Sequence, residues 1–255
     1  MGQKITWKGQ WVATGTESLE QGKIIVSPTK VGYIIMATTL EGLQRKFEVK
    51  QRKQNKPAVV LCSSLSQVRQ LAQLHPEIEA FYQKHWDQDI LLGCILPWKP
   101  SELEKLDPQI RPLVSDHRDT SCFVIKFGTP SEQIVAKNWE KGRLTFASSA
   151  NPSGQGNRGQ VEYIGNRIEE AADVIITAND YVASIQPDKT HQNRYEQGVM
   201  VAMVDHAGQL VPEQDSQRSI TPAPVLIRKG LDTEQILINL SDHFPSWDYR
   251  HGDYY

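Results

Sequence analysis

Short apolar blocks separated by polar, turn-forming stretches run the length of the chain. Residues 22–26 form a strand-length run that Pro28 is expected to end, and residues 33–36 resume it. Leu40, Leu43 and Phe47 then recur at helical spacing, with Thr39 placed to cap residues 40–49. Residues 58–61 are fully apolar and follow an Asn-Lys-Pro turn, so they read as a buried strand. Ser64 with Gln67 is a capping-box pattern before Val68, Leu71 and Leu74, and Pro76 opens a further helix with Ile78, Phe81 and Tyr82 inward. Strands are expected at 90–96, 122–127, 144–146, 174–176, 199–204 and 225–227. Helices are expected at 131–139, 161–171 and 233–240, the last capped by Asp232. Strands and helices roughly alternate, which predicts an α/β architecture with a twisted mixed sheet and flanking helices.

Length and composition narrow the picture without changing it. A chain of 255 residues buries enough surface to need no covalent staple. Residues 1–230 are expected to form the main domain, with a C-terminal helix and aromatic tail, 231–255, packed on it. Trp247, Tyr249, Tyr254 and Tyr255 in that tail suit surface packing first, and otherwise a partner contact or a pocket lid. No apolar run reaches the roughly 18–20 residues of a membrane span, and the first eleven residues lack a signal-type apolar core, so a cytoplasmic protein is expected. Cys62, Cys94 and Cys122 are sparse and lie in apolar surroundings, which suits reduced buried thiols. The seven histidines form no HExxH-type pair, and no metal site is expected from His or Cys spacing.

Charge is less even than the total of −2 suggests. Residues 45–56 hold six basic side chains, Arg45, Lys46, Lys50, Arg52, Lys53 and Lys56, against Glu48 alone. That window is +5 and leaves −7 for the remainder. Such a window suits either a focused anion site or the solvated end of a helix. A second candidate is the stretch from Ser148 through Ser149 and Asn151 to Gly154, whose hydroxyls and amide can face phosphate or ribose oxygens. Residues 154–159 spell GxGxxG. The fingerprint requires its glycines directly at a strand-to-helix turn, and Asn151-Pro152-Ser153 intervenes, so a loop is expected instead.

Lys50-Gln51-Arg52 followed by Ser149-Ala150-Asn151 resembles the KxR…SxN signature of the YrdC-like family, which includes the enzymes that make threonylcarbamoyl-adenylate for tRNA modification. Residues 22–29, ending in Pro28-Thr29, resemble the family's opening strand and turn. Residues 47–57 are similar to its basic segment, and residues 148–154 to its TSANxSG loop. Ser219 and Thr221 ahead of residues 224–230 resemble its late Ser-Thr and ILRxG segments. The resemblance implies an open α/β fold with a concave basic face, and synthases that use ATP, bicarbonate and threonine with Mg2+. Carried over by position, Lys50 and Arg52 would act on the triphosphate in catalysis. Lys56, Ser148, Ser149, Asn151, Ser219 and Arg228 would bind nucleotide, and Thr29, Tyr33 and Lys126 would meet the small substrate. Bidentate Arg and point-charge Lys suit a polyphosphate.

Departures cluster in one region. The family's DTVYGLG reads Lys30 to Met36 here, with only Tyr33 kept. Its WPGPVT keeps only Trp86, and Lys126 stands where an arginine is expected. The phosphate half looks retained and the small-substrate half rebuilt. Residues 188–196, with Lys189, His191, Arg194 and Glu196, are extra relative to the family and suit a lid, an added ligand contact or an inert insertion. Three functions follow as expectations: an acyl-adenylate-forming enzyme that takes bicarbonate and an amino acid; a divergent member with another acceptor; and a non-catalytic nucleotide or RNA binder.

Overall fold

The computed structural model describes residues 2–51, 56–152 and 155–250. Arg52, Ser153, Gly154, Tyr254 and Tyr255 lie outside the described residues. The strands are β1 (Gln3–Thr6), β2 (Ile25–Thr29), β3 (Gly32–Ala37), β4 (Val59–Leu61), β5 (Leu92–Pro97), β6 (Thr120–Ile125), β7 (Phe146–Ser149), β8 (Val174–Thr177), β9 (Val199–Ala202), β10 (Val225–Arg228) and β11 (Asp248–Tyr249). They join one sheet in the order β1-β8-β2-β3-β7-β4-β6-β5-β9-β10-β11, with parallel and antiparallel pairs mixed. This is the α/β class expected. Pro28 sits inside β2 instead of ending it: β8 pairs only with Ile25 and Val26, so the missing N–H of Pro28 costs no ladder bond on that side.

Helices cover the two faces unequally. On one face α2 (Leu40–Lys50), α3 (Leu65–Leu71), α4 (Pro76–Asp87) and α10 (Thr233–His243) bury the main core, which includes Val26, Tyr33, Ile35, Val60, Phe123 and Phe146. Thr39 caps α2 by accepting from Gly42 N at 3.2 Å, and Ser64 caps α3 by accepting from Gln67 N at 3.3 Å. Asp232 precedes α10 but makes no capping bond. Thr233 Oγ1 instead donates to Gly230 O at 2.6 Å. On the other face α1 (Ala13–Glu20) and α7 (Thr129–Glu140) pack over the β1-β8-β2 end only. Three short helices, α5 (Pro100–Leu103), α6 (Arg111–Val114) and α9 (Asn179–Ser184), lie in connections between strands. Farther along that face Ile34, Val59 and Val124 are only half-buried. That unfilled half of the sheet is where the site lies.

The expected helix at 161–171 breaks in two, a 3-10 turn at Val161–Tyr163 and α8 (Asn166–Ala171), because Gly165 takes φ +87° between them. The tail completes the sheet edge: Asp248 and Tyr249 pair in parallel with Val225 and Leu226, and Phe244 is fully buried. Cys62, Cys94 and Cys122 are buried and unbridged, and burial pushes each thiol above its ordinary range. No helix among the described residues is long and apolar enough to cross a membrane.

Candidate active site

Strand alternation builds the floor of a cleft. Ile34, Ala147, Ser149, Val59, Val124 and Ile227 point to the open face, while their neighbours point into the helix-covered core. Gly93 makes the floor dip, since a Cβ there would sit 2.7 Å from Cys122 Sγ. The walls come from the β2–β3 turn, the loop after β7, Lys56, Arg228 and the segment entering β9, around a volume of about 770 Å³. That is the size class of small-molecule and nucleotide sites.

Two lysines one helical turn apart reach β7 from α2. Lys46 Nζ is fully buried and donates to Ser148 Oγ at 2.9 Å. Lys50 Nζ donates to Ser149 O and approaches Ser149 Oγ at 3.3 Å. The predicted Lys50–Ser149 juxtaposition is therefore present in the fold. Ser149 is exposed on the floor, whereas Ser148, which also lines the cleft, turns its hydroxyl to the helix side. Asn151 lies at the cleft wall. Its amide nitrogen donates to Pro152 O at 3.0 Å and to Gln155 O, and its Oδ1 is buried with no hydrogen-bond partner among the described residues. An orphaned acceptor beside a ligand-sized space is a place for a donor from outside the chain. Lys56 is exposed at the rim, and Arg228 Nε is held by Gly198 O at 3.0 Å with its head at the cleft.

The remaining predicted residues have other neighbours. Thr29 Oγ1 donates to Gly32 O at 2.7 Å and so closes the β2–β3 turn at the cleft edge. Tyr33 meets the cleft, but strand parity sends its ring into the core. There its hydroxyl donates to Asn179 Oδ1 at 2.6 Å and accepts from Ala178 N at 2.9 Å. Burial pushes that phenol up to about 12. Lys126 does not line the cleft. It stacks on Trp86 at 4.2 Å and faces Asp89 at 3.3 Å. Ser219 is exposed and away from the cleft, its N–H donating to Ser246 Oγ at 2.7 Å.

Three of the six basic residues of the charge window are engaged within the fold. Arg45 pairs with Asp173 at 2.9 Å, and Lys46 and Lys50 are buried. Lys56 stands at the cleft, and Arg52 and Lys53 lie outside the described residues. The rebuilt end holds a different cluster, where Lys30 and Lys126 both grip Asp89. Burial pushes the Asp89 carboxyl upward, but the two ammonium groups outweigh it and hold the group below its ordinary value. Burial raises the neighbouring Asp232, with Lys30 opposing.

Sequence reasoning left the role of residues 188–196 open and passed over Tyr195 and Gln197. The structure places Arg194, Tyr195, Glu196 and Gln197 on the cleft wall. Residues 155–159 of the GxGxxG stretch form a loop, as expected, and Asn157 ties it to the floor through Tyr33 O at 2.8 Å and Ala150 O at 3.1 Å.

A family model described as telomere recombination, Sua5_yciO_yrdC, matches residues 17–202. The chain belongs to that family. Its fold is similar to that of a hypothetical protein, smu.1377c, from Streptococcus mutans UA159, at 57% identity over 100% of both chains with a TM-score of 0.95. It also resembles E. coli YciO (16% identity, 91% of this chain and 97% of that one, TM-score 0.63). The third likeness is to P. abyssi Sua5 complexed with L-threonine (20% identity, 94% of this chain, TM-score 0.62). The chain spans only 62% of that Sua5, and at such identity the likeness shows the fold alone. No curated protein matches the sequence. Members of the family make threonylcarbamoyl-AMP, and the α/β fold and family read from the KxR…SxN residues stand.

Proposed function

We propose that this protein is an ATP-dependent enzyme of the threonylcarbamoyl-AMP synthase type. Bicarbonate and the amino group of an acceptor would combine to a carbamate with loss of water. A carbamate oxygen would then attack the α-phosphorus of ATP, the bond to the β-phosphate would break, and pyrophosphate would leave. The observation that carries this reading is Lys50 bonded to Ser149, which stands on the floor of a nucleotide-sized cleft with Asn151, Lys56 and Arg228 on its walls. Positioning and charge neutralisation carry most of such a transfer, which is what fixed lysines, arginine and amide groups supply. Arg52 belongs to the same motif. Its part rests on the resemblance.

Magnesium fits as a passenger of the triphosphate. Among the described residues no group of three or more His, Cys, Asp or Glu side chains could hold it, and magnesium commonly rides on substrate phosphates with few protein ligands. The test is pyrophosphate release from ATP and bicarbonate with each candidate amino acid. Turnover with one acceptor is the expected result; none with any acceptor, from folded protein, overturns the reading.

A second reading, that the acceptor is not threonine, is favoured by the Lys30–Asp89–Lys126 cluster next to Thr29 and Phe127. Its two lysines bring charge to the end of the fold where the resemblance expects the small substrate. Failure to rescue a strain lacking the tRNA-modification synthase, with pyrophosphate release intact on another acceptor, is the outcome expected of it. A broad RNA-binding role is less well supported, because Arg45, Lys46 and Lys50 are engaged within the fold.

A further inference from the structure

The loop leaving β7 and the segment entering β9 meet, although β4, β6 and β5 lie between those two strands. Four strand spacings of ~4.8 Å make a gap of about 19 Å along the sheet. Three contacts close it. The backbone N–H of Arg158 donates to the Glu196 carboxylate. The Arg194 guanidinium lies flat on Gly159, where a Cβ would stand 2.6 Å from Cζ, and donates to Val182 O at 2.8 Å. The rings of Tyr163 and His191 stack with centroids 6.4 Å apart and planes 16° from parallel.

The segment is braced as a unit. The buried Gln186 side chain donates to Tyr195 O at 3.0 Å and accepts from Tyr195 N at 2.8 Å, tying the ends of the 186–195 stretch together. On the other side, Gly156 is shaped for its partner: a Cβ there would overlap the Glu196 carboxylate.

We propose that residues 186–198 form a gate across the cleft, latched on the 156–163 loop, and that the latch must part for ligand to enter or leave. Glu196 and Arg194 are positioning residues that hold the gate, and the exposed Tyr195 beside them faces what is bound. The gate does not depend on the nucleotide being ATP, so it can be tested without a ligand.

A reporter thiol on the floor, Val59→Cys, reads it, since the native cysteines are buried. A polymer-tagged maleimide should label the reporter slowly in the otherwise native protein, and a small methanethiosulfonate should label it fast. Glu196→Ala and Gly156→Ala break one contact from opposite sides, so each should raise the maleimide rate about tenfold, the weight of one charge-assisted hydrogen bond. Glu196→Gln keeps an acceptor for Arg158 N–H and should stay within about twofold. Melting curves confirm folding, and if Gly156→Ala does not fold, the Glu196 pair decides. Equal rates in all variants overturn the gate. Excess ATP should slow labelling. Variant effects without ATP protection would uphold the gate and overturn the nucleotide reading.

Discussion

Lys46 and Lys50 sit one turn apart on the same helix and contact adjacent serines, yet their environments separate their roles. Lys46 is wholly enclosed and bonded to a hydroxyl on the core side. Lys46→Ala removes both a buried hydrogen bond and side-chain volume, so a loss of about 2–4 kcal/mol is expected in urea unfolding. Lys50 holds Ser149, which stands on the cleft floor, and Lys50→Ala should weaken ATP binding at least tenfold, read by calorimetry, in a protein that still folds. Tyr33→Phe separates structure from substrate contact. Its hydroxyl serves Asn179 and Ala178, so the variant should lose about 1–2 kcal/mol of stability and keep its KM within about twofold. The Lys50–Ser149 pairing was legible because both ends carry a recognisable motif. Tyr33 and Ser148 show what was not. One residue of strand parity decides between core and cleft, and parity is set by pairing partners far away in sequence.

At the scale of elements, helices with a clear apolar period and a capping residue were readable, as α2 and α3 show. α1 was not, because it packs through Gly15, Thr16 and Ser18 as well as Leu19, with Gly15 pressed against Ile134, Ile176 and Ile25. Close packing by small residues leaves no apolar period to read. β1 is a mostly exposed edge strand, whose polar residues carry no signal of their own. The docking of α10 on α4 has a titratable centre. His85 is fully buried, its Nδ1 donating to Phe81 O at 2.7 Å and its Nε2 accepting from Asn239 at 3.2 Å. Burial lowers His85 to about 4 from an ordinary 6.5, so the folded state holds it neutral. Stability from this group is complete above pH 6.5 and declines as pH falls toward 4, by about 3 kcal/mol in all. Denaturant midpoints at pH 7 and pH 4.5 should show the loss, and His85→Gln should flatten it.

For the whole molecule, net charge gave little guidance, since among the described residues of the basic window Arg45, Lys46 and Lys50 serve internal contacts and Lys56 alone stands at the cleft. Architecture was legible from the alternation of elements, whereas the strand order was not, because nothing local records that β8 lies between β1 and β2 or that β7 lies between β3 and β4. The same holds for the cleft: its two latched walls are some 40 residues apart in sequence and four strands apart in the sheet.

The strand order also sets a timetable for synthesis. β1 leaves the ribosome before the other strands described, yet its sheet partner is β8, residues 174–177, so it waits for the intervening 167 residues, 7–173. β3 and β4 likewise remain apart until residues 146–149 arrive to fill the gap between them. Such late, non-local pairing makes for slow folding and a long exposure of unpaired strand edges. Nascent chains stalled before residue 174 should therefore be cut rapidly by protease near their N-terminus, and those stalled after the sheet is complete should resist.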